Sequence, residues 1–138
     1  MNFQMYVPTR ILFGSGQLAN LHAQKLPGKK ALLVISSGTS VRTKGALART
    51  EEQLKLAGVE TVLFDRIMAN PLKSTVMEGA ACARENGCDF LVALGGGSVM
   101  DASKAIAAMP TNDGDLWDYV SGGTGKGKAL TCEPLPLV

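Results

Sequence analysis

Apolar and polar positions alternate over the first residues of the chain, then give way to short apolar runs separated by stretches of helical period. Phe3, Met5 and Val7 alternate with Gln4 and Tyr6, and after Pro8-Thr9 comes Arg10-Ile11-Leu12-Phe13, a pattern that predicts two short strands around a bend. Ser15 stands where it would cap a helix bearing Leu18 and Leu21 on one face, and Pro27-Gly28 closes that unit. Residues 30–35 form an apolar strand ending in Ser36-Ser37-Gly38-Thr39-Ser40. A helix over 43–57 comes next, with Leu47, Leu54 and Ala57 on one face and Gly58 as its stop. Residues 59–64 give another strand, and 65–72 a loop in which Pro71 is expected to hold Asn70 extended. Thr75 and Glu78 have capping-box spacing for a helix reaching about Asn86, which Gly87 ends.

The run 90–94 is apolar at all five positions, as in a strand buried on both faces, and it stops at Gly95-Gly96-Gly97. Ala102, Ala105, Ile106 and Met109 then recur at helical spacing, so the stretch reads as strand, turn and helix, with the helix beginning at about Ser98. Beyond Met109 the chain turns loop-like, Trp117 and Tyr119 anchor a short helix or turn, and 134–138 opens a further buried strand. Strands alternating with helices through short loops imply an α/β fold, a parallel sheet with helices on both faces. Ligands in such sheets bind beyond the carboxyl ends of the strands, where Ser36 to Ser40, Asn70-Pro71 and Gly95 to Ser98 all fall.

Three glycines relax the backbone and admit a ligand to the main chain, and the unpaired amides and positive dipole end of the next helix suit a phosphate. Ser98 is placed to cap that helix or to donate to the phosphate. The alternative is a turn whose glycines serve packing alone. Asp101 and Lys104, three apart on one helical face, either look back toward the turn or form a solvated ion pair. The hydroxyls of Ser36 and Ser37 beside Gly38 suit sugar or phosphate oxygens, or make an ordinary loop.

At 138 residues the chain has the size of one domain, and 46% hydrophobic with 19% charged residues is a globular composition. A net charge of +2 without a basic stripe argues against nucleic acid as a partner. No run is long enough to span a membrane, and the start lacks a signal-peptide pattern. Three cysteines without metal-type pairing suggest reduced thiols and a cytoplasmic protein, with Cys82 and Cys88 packing in the interior. His22, the only histidine, is expected on an exposed helix, and no Ser/His, Cys/His or multi-histidine site can be assembled. A carboxylate closing an apolar strand at Val138 would cost desolvation, so the natural protein is expected to continue.

The run from Gly95 through Lys104, preceded by a buried strand and by Asn70-Pro71, resembles the signature of the iron-containing (group III) alcohol dehydrogenases, relatives of the dehydroquinate synthases. Pro8 through Gly16 is similar to that family's opening, and Gly114-Asp115-Leu116-Trp117-Asp118-Tyr119 to the stretch after its glycine helix. The resemblance implies that 1–138 is the Rossmann-like N-terminal NAD(P)-binding domain of a two-domain enzyme with a helical C-terminal part. In that family the C-terminal part holds iron through an aspartate and histidines, so Fe2+ and turnover of small alcohols and aldehydes are expected only of a full-length enzyme. By the same resemblance Gly96, Gly97 and Ser98 would bind the pyrophosphate, with Gly95 and Pro71 in the same cofactor-binding set. Asn70 would lie beside the adenosine half, Asp101 near the nicotinamide, and Lys104 would support that end. Ser36-Ser37-Gly38 stands where many NAD-using members carry an aspartate, so NADP is slightly favoured and NAD is permitted. The first strand is expected to pair across a homo-oligomer. The alternatives are a stand-alone nucleotide-binding or interaction module, a polyol or phosphopolyol dehydrogenase, and a dehydroquinate synthase-like lyase.

Overall fold

The computed structural model describes residues 2–6 and 9–138. A 3-10 helix, Gln17–Ala23, precedes β1 (Lys30–Ser36), α1 (Ser40–Thr43), α2 (Ala46–Leu56), β2 (Glu60–Ile67), α3 (Lys73–Glu85), β3 (Phe90–Leu94), α4 (Gly97–Ala108) and α5 (Leu116–Tyr119). The three strands form a parallel sheet in the order β2-β1-β3. Residues 136–138 extend it at the β3 edge: the Leu91 and Ala93 amides donate to the carbonyls of Pro136 and Val138, and the Val138 amide donates to Leu91. The strand expected over 134–138 therefore begins as a parallel neighbour of β3.

Alternation along β1 sends its apolar side chains to two cores. Leu32 and Val34 meet Phe64, Ile67 and Leu91 beneath α3 and α4, through Val76, Ala83, Val99, Ala102 and Ile106. Ala31, Leu33 and Ile35 face α2 and the 3-10 helix, through Leu47, Leu54 and Leu21, with Leu26 of the following loop packed beside them. Both faces of the sheet are covered, as a run of apolar residues without polar alternation requires. Cys82 and Cys88 pack in the first of these cores as free thiols, and burial pushes the Cys88 thiol up.

Several local expectations are corrected. Residues 2–6 and 9–13 form no strand; Phe3, Tyr6 and Phe13 are 84%, 83% and 95% exposed. A strand needs a hydrogen-bonding neighbour, and the described residues offer these segments none; Val7 and Pro8 lie outside the described residues. The helix expected over 43–57 starts later, as α2 at Ala46, because Gly45, whose φ of 69° leaves the helical region, separates it from the short α1. Caps expected from Ser15, Thr75 and Ser98 are not made, because the helices start after Gly16, Leu72 and Gly96. Glu78, free of a capping role, pairs with Arg66 at 3.0 Å. Asn70 has φ 55°, not the extended geometry expected. Proline disfavours right-handed helix for the residue before it, and asparagine is among the few L-residues that enter the left-handed region readily.

Asn112 fixes the path of the chain beyond α4. Buried to 2% exposure, its Nδ2 donates to the carbonyls of Ala108 (2.8 Å) and Cys132 (3.0 Å), while its Oδ1 accepts from the amides of Thr131 (2.9 Å) and Cys132 (3.0 Å). One side chain thus ties the end of α4 to the segment that delivers 136–138 to the sheet. Trp117 sits in α5 with Nε1 donating to Thr124, in keeping with the anchoring role read from sequence.

Candidate functional site: a cleft at the carboxyl end of the sheet

The parallel strands bring the ends of β1, β2 and β3 to one side, and α4 starts there. Ser36, Ile67, Met68, Ala69, Gly96, Gly97, Ser98 and Val99 line a cleft of about 240 Å³. The amides of Val99 and Met100 both donate to the Gly96 carbonyl, at 3.0 and 3.1 Å. Those of Gly97 and Ser98 precede them, and a helix has no carbonyl one turn back to offer its first residues. Two donors and the positive end of a twelve-residue helix are therefore directed at the cleft.

The glycines divide into two kinds. A Cβ on Gly95 would stand 2.6 Å from Val99 Cγ2 and 2.8 Å from its Cβ, so Gly95 lets β3 turn tightly beneath its own helix. A Cβ on Gly96 or Gly97 would meet nothing within 4 Å, and neither residue has positive φ; Gly96 is extended at φ −90°, ψ −166°. The expectation that this turn needs dihedrals forbidden to other residues is corrected accordingly. What remains for Gly96 and Gly97 is the open space above them, which a Cβ would occupy.

A second groove of about 220 Å³ lies against the other side of α4, lined by Pro71, Lys73, Val76, Asp101, Ala102, Ala105, Leu116 and Trp117. Asp101 and Lys104 pair with one another at 3.1 Å, with side chains 75% and 68% exposed. Among the predicted residues, Ser36, Gly96, Gly97 and Ser98 meet in the cleft, while Pro71 and Asp101 meet in the groove. Asn70 comes directly after the cleft residue Ala69. Ser37 is tied to the end of β2 by its amide, which donates to the Ile67 carbonyl at 2.8 Å. Gly38, Gly95 and Lys104 line neither space. Met68 and Ala69 were missed, and their signal was adjacency to Asn70-Pro71 at a strand's carboxyl end.

The described residues do not fit a resident iron. Among the described residues no three His, Cys, Asp or Glu side chains gather as a metal site, and His22 Nδ1 is 2.6 Å from Gln53 Oε1 on the exposed 3-10 helix. No helix is long and apolar enough to cross a membrane among the described residues.

Residues 8–138 match the family described as iron-containing alcohol dehydrogenase. The chain is 40% identical over 120 residues to a probable NADH-dependent butanol dehydrogenase 1 of Bacillus subtilis (strain 168), an alignment covering 87% of this chain and 31% of that protein. It is 41% identical over 107 residues to the NADPH-dependent aldehyde reductase YqhD of Escherichia coli (strain K12), covering 78% and 27%. Its fold superimposes with a TM-score of 0.89 on the archaeal alcohol dehydrogenase ADH/D1 from a Red Sea brine pool, at 40% identity, across 99% of this chain and 36% of that one. The chain thus spans about a third of the length of these relatives. With the glycine turn, the parallel sheet and the match over nearly all its residues, this chain belongs to the iron-containing alcohol dehydrogenase family.

Proposed function

We propose that this chain is the NAD(P)-binding portion of an iron-dependent alcohol dehydrogenase that interconverts small alcohols and aldehydes by hydride transfer. The observation that carries the reading is the open space over Gly96 and Gly97, which no internal packing or backbone strain accounts for. The names of the relatives, one NADH-dependent and one NADPH-dependent, support a nicotinamide dinucleotide as the occupant.

In this reading the amides of Gly97 and Ser98 hold the pyrophosphate, and the Ser98 hydroxyl adds a donor at the same oxygens. Ser36, Ser37 and Gly38 receive the adenosine ribose with Asn70 beside it. The absence of a carboxylate among them spares a 2'-phosphate repulsion, so NADP is slightly favoured. Asp101 lies toward the nicotinamide end, and Lys104, held to Asp101, steadies that carboxylate. The bound cofactor supplies the hydride; these residues bind and orient it and perform no bond-breaking step themselves. Iron and the substrate belong to a helical second part of a full-length cytoplasmic enzyme, which dimerises through the exposed apolar segment at Phe3, Met5 and Tyr6. Titration of NADPH and NADH against the protein, monitored by nicotinamide fluorescence, tests the reading: saturable binding supports it, and no binding of either dinucleotide refutes it.

A further inference from the structure

The ion pair between Arg42 and Asp65 stands at the carboxyl end of β1 and β2, beside the loop assigned to the adenosine ribose. Arg42 Nη2 meets Asp65 Oδ2 at 2.5 Å. The register explains how Asp65 comes to be there. Val34 pairs with Phe64 and Ser36 with Ile67, so β2 carries one extra residue over this stretch. That bulge keeps both Phe64 and Ile67 buried while Asp65 is turned out to solvent. Ile67 in turn lines the cleft with Ser36, Gly96 and Gly97, and its carbonyl holds the Ser37 amide. Arg42 reaches this point from α1, four residues after Gly38.

The fold does not require this pair. The side chains are 43% and 48% exposed, a degree at which an ion pair adds little to stability. The other arginine at this end of β2, Arg66, is engaged with Glu78 of α3. Arg42 is thus a guanidinium held by one exposed carboxylate, on the short helix that directly follows the Ser36 to Thr39 loop. A phosphate monoester offers more charge and more acceptor oxygens than that carboxylate, in the geometry a guanidinium fork matches.

We propose that Arg42 is the specificity residue for the 2'-phosphate of NADP, exchanging Asp65 for the phosphate when that cofactor binds. Asp65 sets the threshold: a bare 2'-hydroxyl does not displace it, and a phosphate does. This rests on the reading of the Ser36 to Gly38 loop as the ribose site. Calorimetric titration of the protein with NADPH and with NADH tests it. Arg42→Met weakens NADPH by about tenfold or more and NADH by less than about twofold. Asp65→Asn, which frees the guanidinium, tightens NADPH several-fold and leaves NADH unchanged. Arg42→Lys keeps the charge without the fork and falls between the parent and Arg42→Met. Thermal melts accompany each titration; if Arg42→Met does not fold, Arg42→Lys and Asp65→Asn decide. Equal losses for the two cofactors, or an unchanged NADPH-to-NADH ratio in the folded variants, overturn the role of Arg42 alone. Failure of the unaltered protein to bind either dinucleotide overturns the nucleotide site and this inference with it.

Discussion

Adding a side chain at Gly95 and at Gly97 should have opposite consequences, though the two lie only two residues apart. At Gly95 a new Cβ falls 2.6 Å from Val99 Cγ2, and Val99 is buried at 2% exposure between α4 and the sheet, with no room to withdraw. Gly95→Ala is therefore overpacking, and should destabilise the fold by about 1–3 kcal/mol. At Gly97 a Cβ meets nothing within 4 Å and the backbone is already helical, so Gly97→Ala should leave stability unchanged or raise it by about 0.4–1 kcal/mol. Gly97→Val should also fold, yet its branched side chain fills the space over the first amides of α4. It should lose about 3 kcal/mol of cofactor binding, a hundredfold or greater rise in Kd. Ser98→Ala removes one hydroxyl donor and no helix cap, since the cap position is Gly96, and should cost about 1 kcal/mol of binding. Urea melts measure the first pair of effects and NAD(P)H fluorescence titrations the second. A folded Gly97→Val protein that binds cofactor like the parent would show the space over Gly97 to be incidental.

Asn112→Ala strips four short hydrogen bonds from a buried site and should cost about 3 kcal/mol in urea unfolding, with the amides of 91 and 93 exchanging faster as residues 136–138 loosen. Burial by itself would raise the Asp89 pKa, but the backbone amides of Lys29 and Lys30, which donate to its carboxylate at 2.8 and 2.9 Å, hold it below the usual range. A depressed folded pKa means that the contribution is full above the unfolded value of about 3.9 and disappears as pH falls through the folded one. Asp89→Asn should therefore lower the melting temperature near neutrality, and the gap to the parent should narrow as pH falls below the unfolded carboxylate value; a gap that stays constant through acid would contradict the linkage. Phe3→Asp with Met5→Asp should shift sedimentation of a full-length enzyme toward monomer, and an unchanged dimer would remove this segment from the interface.

The parts of the fold that sequence reveals best are those whose burial leaves one solution. Residues of β1 and β3 are apolar on both sides, so their burial as strands is legible in composition, and their parallel pairing follows from the helices between them. The expected strands at 3–7 and 10–13 are different, because alternation records a preference that only a neighbouring strand can satisfy. Helix starts shifted for a related reason: Thr75 and Ser98 are good caps, but Leu72 and Gly96 already have extended backbone where the chain enters the helix. The turn at Gly45 was hidden, since Leu47 and Leu54 both lie after it in α2 and give no signal of where that helix begins. At the site, the convergence of the β1 and β3 loops could be read from topology. The two jobs of the three glycines could not, because distinguishing them requires knowing where Val99 lies.

If the first amides of α4 and the loops around them receive a dinucleotide phosphate, heteronuclear NMR of the 15N-labelled chain during NADPH titration shows it most directly. Gly96, Gly97, Ser98 and Val99 should show the largest saturable amide shifts, joined by Ser36, Met68 and Ala69 across the cleft, while the amides of Gly28 and Lys29 in the turn at the opposite end of the sheet stay still. Shifts confined to other surfaces, or none at saturating cofactor, would contradict it.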